Sequence, residues 1–184
     1  MNKLKLSSLF LVFLLVSGVA TYKVSADTYN WSWPSGKTFF VDNVTSESMF
    51  DTPIGRATSR WRAVSGASIY PYFDSTWSSS NQVHVSYAPS AQNSFYGYIL
   101  PYDSSGNLLA DYDYGTVASG KIRLYSSKVD GLSTSGKTSV LLHEMGHILG
   151  LDHPSGQYSI MDKSDVFDLQ YPTSYDKSEL ASKY

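Results

Sequence analysis

Residues 143–153 read HEMGHILGLDH, and the spacing of the histidines in that stretch decides how the rest of the chain is read. His143 and His147 are four residues apart, so on a helix both imidazoles project from one face. Two neutral imidazoles that close make a natural zinc chelate. Glu144 follows the first histidine and can reach the open side of a metal without binding it. A carboxylate there can take a proton from zinc-bound water. Gly150 suits a helix stop and lets the chain reverse, which allows His153 to swing back as a third nitrogen. Three protein ligands plus water describe a catalytic zinc, whereas structural zinc usually has four protein ligands. Asp152 is a rival third ligand, but its spacing is one residue short, and a role in the turn is expected instead. The bland alternative is a buried helix with solvent-facing histidines, and it requires five fixed positions to coincide by chance.

Composition narrows the setting. The chain has 184 residues, 42% apolar and 16% charged, which fits one domain and excludes a solvated disordered chain. Cysteine is absent, so disulfides, thiolate metal sites and a thiol nucleophile are all excluded. A formal charge of −2 gives no reason to expect a nucleic-acid partner. Met1 to Ala26 reads as a secretory signal: Lys3 and Lys5 are basic, Leu9 to Val16 is unbroken apolar sequence, and Val24-Ser25-Ala26 has small-x-small character. The apolar run is short of the ~20 residues a spanning helix needs. The expectation is therefore residues 27–184 as one secreted, extracellular domain, monomeric, with no membrane contact after signal removal.

Along that domain, residues 38–44, 68–73, 82–87 and 95–102 alternate or cluster like strands. Residues 108–114 look like the return strand of a hairpin around Asp103-Ser104-Ser105-Gly106-Asn107, and residues 121–129 like one more alternating strand. A first helix follows Asp51 or Thr52, with Pro53 in its first turn and Ile54, Ala57, Trp61 and Val64 on one stripe; Gly66 closes it. A second runs from about Thr138 to Leu149, after a polar loop at 133–137. A third starts after Thr173, where Asp176 completes a capping-box pattern. Strands followed by a helix that carries the site indicate a single α+β domain.

The stretch HExxHxxGxxH resembles the long zinc motif of the metzincin metalloproteases. Ser159-Ile160-Met161-Asp162 resembles the turn that carries Met161 beneath the metal in that group, and LLHEMGHILGLDH resembles most the matrixin branch, in its small secreted bacterial form. The resemblance implies a twisted, mostly parallel sheet with an antiparallel edge strand, three helices, a zinc helix and a Met-turn. It implies a secreted zinc-dependent endopeptidase that hydrolyses peptide bonds by Glu-assisted attack of zinc-bound water. Glu144 is then the catalytic residue, and His143, His147 and His153 are the metal ligands. A protein or peptide substrate would lie extended along residues 95–102, with a pocket walled by residues 162–175, including Val166, Phe167, Leu169 and Tyr171.

The departures from the family pattern also carry expectations. His84 is the only histidine outside the motif, so one zinc is the better count. Lys163 stands where some metzincins place a tyrosine oxyanion donor. Without cysteine, latency through a thiolate is impossible. Residues 27–37, with Trp31 and Trp33, are either a plug for the cleft or part of the packed domain. Calcium is implied by the family near the fourth and fifth strands, where Asp103, Asn107, Asp111 and Asp113 supply hard oxygens; a polar hairpin tip explains the same residues. The competing function is a non-enzymatic module using its aromatic side chains to bind cell-wall carbohydrate. The intact Glu144 argues against it.

Overall fold

Alternation along residues 37–43 puts Phe39 and Val41 on one face, and that face is where the core forms. The structure, a computed structural model, describes residues 28–89, 95–163 and 169–184. The expected signal segment and the pocket residues Val166 and Phe167 lie outside these. Seven strands are described: β1 (Trp31–Ser32), β2 (Lys37–Asn43), β3 (Ile69–Asp74), β4 (Val83–Tyr87), β5 (Gly97–Tyr102), β6 (Gly115–Thr116) and β7 (Ser119–Leu124). The main sheet has the order β3-β2-β4-β7-β5. Its first four strands are parallel, and β5 runs antiparallel to β7 at the edge. Phe39, Val41, Val83, Val85, Ile122 and Leu124 are fully buried beneath α1 (Asp51–Arg62) and α3 (Thr134–Ile148). The mixed sheet and helix layer match the expected α+β class.

α1 buries the predicted stripe of Ile54, Ala57 and Trp61. The Trp61 indole N–H donates to the Leu142 carbonyl at 2.9 Å, which ties α1 to the middle of α3. Truncating such a buried ring to alanine costs about 3–5 kcal/mol. α3 is different, because every residue from Gly136 to Ile148 is buried. A helix covered on all sides shows little amphipathic periodicity, so its polar residues cannot be explained by a solvent face.

Several local expectations change. The stretch 121–129 is not one strand: β7 ends at Leu124, and residues 126–129 form the single-turn α2 (Ser126–Val129). Ladder pairing explains the stop, since Leu124 is the terminal partner of both Tyr87 in β4 and Gly97 in β5. The described helices thus number four rather than three, with α4 (Ser174–Lys183) last. Residues 108–114 return as a single bridge, Tyr102 to Leu108, and then turn away, with Asp113 closing a turn onto Ala110. The polar stretch 133–137 is the start of α3. The Ser133 hydroxyl accepts the Gly136 N–H at 3.1 Å, a helix cap.

The N-terminal residues belong to the core. Trp31 and Trp33 are each 1% exposed. The Trp33 indole N–H donates to Ile148 O at 2.8 Å, and its ring stacks on Phe39 at 4.4 Å. The packing alternative for Trp31 and Trp33 therefore holds. Among the described residues, no helix is long and apolar enough to cross a membrane.

Candidate metal centre and active site

α3 delivers His143, Glu144 and His147, and the chain then turns at Gly150, whose φ of +87° is natural only for glycine. His153 returns beside the other two. The three Nε2 atoms lie 3.1–3.2 Å from one another. His143 Nδ1 is 2.9 Å from the Ile160 carbonyl, and His147 Nδ1 is 2.8 Å from the Leu151 carbonyl. A carbonyl only accepts, so both Nδ1 atoms carry the proton and both Nε2 atoms are bare. Bare nitrogens that close repel unless a cation lies between them. Zinc–nitrogen bonds of about 2.0–2.1 Å at tetrahedral angles separate ligand nitrogens by about 3.3 Å, so the cluster fits such an ion. Among the described residues, this triple is the group of histidines and acids placed to hold a metal. Asp152 is not in it; its carboxylate accepts the His153 N–H at 2.7 Å, a turn role.

Electrostatics suit ligation. Burial lowers His143 to about 4 and depresses His147 and His153 as well, so all three are neutral at neutral pH. Burial also raises Glu144 to about 8. A divalent cation nearby reverses that cost by favouring the carboxylate.

The Met-turn supports the histidines from below. A Cβ on Gly146 would stand 2.3 Å from Met161 Sδ and 3.0 Å from Trp61, so only glycine lets Met161 nest against α3 between the two histidines. Asp176, 1% exposed, fastens this turn to α4. Its carboxylate accepts the Ile160 N–H at 3.0 Å, the Thr173 N–H at 2.7 Å and the Ser159 hydroxyl. The capping box predicted at Thr173 is present. The longer tie through Ile160 to His143 was invisible in sequence, because it joins residues distant along the chain.

The other candidates sit elsewhere. His84 Nδ1 pairs with buried Asp42 at 2.6 Å, outside the cluster. Asp103 is bonded to the Ser105 and Asn107 N–H groups and to the Asn107 side chain within its own hairpin tip. Leu169 packs against the core, and its carbonyl accepts the Ser139 hydroxyl at 2.7 Å. Tyr171 faces outward under Arg60 at 4.2 Å, beside a cavity of about 450 Å³ lined also by Arg56, Ser59 and Lys177. Tyr29 was not anticipated; its hydroxyl lies 3.3 Å from His147 Nδ1. Gly97 was not anticipated either, and it lies against Glu144.

Comparison with known proteins places this geometry. No curated protein matches the sequence. The solved structure of myroilysin is similar in fold, with a TM-score of 0.52 at 15% identity, covering 83% of this chain and 95% of that one. The family model for matrixin matches residues 31–171, from the first strand through the zinc motif and the Met-turn. The chain belongs to the matrixin family of zinc-dependent metallopeptidases.

Proposed function

We propose that the protein is a secreted zinc endopeptidase in which Glu144 is the general base. The observation that carries this is the cluster of three Nε2 atoms 3.1–3.2 Å apart, those of His143 and His147 bare on α3 beside the buried Glu144 and that of His153 brought back to them by the turn. Zinc, when bound, polarises the scissile carbonyl, acidifies the attacking water and offsets the oxyanion charge. His143, His147 and His153 would hold it through Nε2. Glu144 takes the proton of the attacking water and delivers it to the departing amine. The Glu144 carboxylate lies under Gly97, the first residue of edge strand β5. An extended peptide pairing with β5 would pass beside that base, and main-chain pairing accepts many sequences. Secretion is supported by the signal pattern of residues 1–26.

The test is cleavage of an unstructured protein such as casein. Activity should vanish on chelation and return with stoichiometric zinc. Full activity in a protein stripped of metal would refute the proposal.

A further inference from the structure

His147 has two groups behind it. Besides the Leu151 carbonyl at 2.8 Å, the Tyr29 hydroxyl lies 3.3 Å from the same Nδ1, and the two rings are 5.8 Å apart. Because Nδ1 carries the proton, the Tyr29 oxygen shares that N–H as an acceptor.

The fold leaves Tyr29 little freedom. Its N–H donates to the Gly150 carbonyl at 3.0 Å, and its own carbonyl accepts from Lys183 Nζ at 2.8 Å. Its ring stacks on buried Trp31 at 4.8 Å and an interplanar angle of 19°. Backbone anchors on both sides and a ring stack set where the hydroxyl points. A residue that only filled space would need neither the hydroxyl nor its alignment with a ring nitrogen.

We propose that Tyr29 is a positioning residue for His147, its hydroxyl sharing the Nδ1–H with the Leu151 carbonyl so that the ring keeps the orientation and tautomer that leave Nε2 bare. The proposal rests on the reading of His143, His147 and His153 as zinc ligands. Groups that hold a ligating imidazole from behind are worth roughly 10–100-fold in metal affinity or activity. Here the Leu151 carbonyl makes the shorter bond, so the lower end of that range is expected.

Tyr29→Phe tests this, because it keeps the ring stack and both backbone anchors and removes only the hydroxyl. The measurements are zinc affinity by competition with a chromophoric chelator, the visible spectrum of the cobalt-substituted protein, kcat and KM on one quenched peptide, and Tm of the metal-free protein. The expected result is about tenfold weaker zinc binding, an altered cobalt band and reduced kcat at unchanged KM, with metal-free Tm preserved. Wild-type zinc affinity and an unchanged cobalt spectrum in Tyr29→Phe would overturn the proposal. So would a fall in metal-free Tm with affinity intact, since that is what packing alone predicts. A wild-type protein that binds no zinc, or is inert when loaded, would overturn the zinc-peptidase reading and this inference with it.

Discussion

A Cβ built on Gly97 would stand 3.1 Å from Oε1 of Glu144 and 2.7 Å from the Arg123 carbonyl. The start of the edge strand and the proposed base are thus in van der Waals contact, with no room for a side chain between them. Gly97→Ala should push the strand or the carboxylate aside. Misplacement on the ångström scale can cost about 100-fold in rate. We expect kcat to fall by about 10–100-fold while zinc content stays at the wild-type level. Unchanged kcat in a folded, zinc-loaded variant would show that this contact does not matter.

Asp176 is a buried carboxylate that fastens the Met-turn, accepting from Ile160, Thr173 and Ser159. Asp176→Ala strands two buried donors, Ile160 N–H and the Ser159 hydroxyl, and a half-buried one at Thr173, and each unsatisfied buried donor costs about 1–3 kcal/mol. Chemical denaturation should show a loss of about 3 kcal/mol or more. Zinc affinity should fall with it, because Ile160 also orients His143. A stability loss under 1 kcal/mol would mean that water replaces the carboxylate.

The metal-free protein should be destabilised by both acid and alkali, through different residues. Burial holds His143 at about 4, against 6.5 in the unfolded chain, so the unfolded state binds more protons between those values. Stability is then lost as pH falls through that window. Glu144 has the opposite sign: it keeps its proton to about 8 when folded, against 4.5 when unfolded, so stability is lost as pH rises through that interval. Glu144→Gln removes only the second effect. Its metal-free Tm should be close to that of the wild type at pH 5 and higher at pH 9. An equal Tm at both values would refute the buried-carboxylate account.

Trimming the chain to Thr38 should unfold it rather than activate it. Trp31 and Trp33 are each 1% exposed, and Trp33 bonds to the end of α3. Losing two buried tryptophans costs about 6–10 kcal/mol, comparable with the 5–15 kcal/mol that holds a typical domain together. Circular dichroism and activity of protein beginning at Asp27 and at Thr38 provide the comparison. A folded, more active Thr38 form would revive the plug.

The metal cluster was legible because its geometry is local: a four-residue helical spacing and a glycine turn bring three histidines together within eleven positions. Strands and helix stripes were legible through periodicity, and Thr173 with Asp176 through capping chemistry. What sequence hid depends on partners distant in the chain. β7 stops where β4 and β5 run out, so residues 126–129 coil into α2 despite reading as strand. The pairing of Leu108 with Tyr102 ends after one bridge because Asp113 binds Ala110. Gly97 and Tyr29 carry no local pattern; each matters through one residue brought to it by the fold, Glu144 and His147 respectively.

The central claim is one zinc held by three histidines with Glu144 as base, and Glu144→Ala tests it most directly. Wild type and variant are each loaded with zinc, their metal counted by elemental analysis, and each is given the same quenched peptide. The account predicts one zinc per chain in both, with cleavage reduced at least about 100-fold in the variant, the loss expected when a general base is removed. Undiminished cleavage by zinc-loaded Glu144→Ala would contradict it.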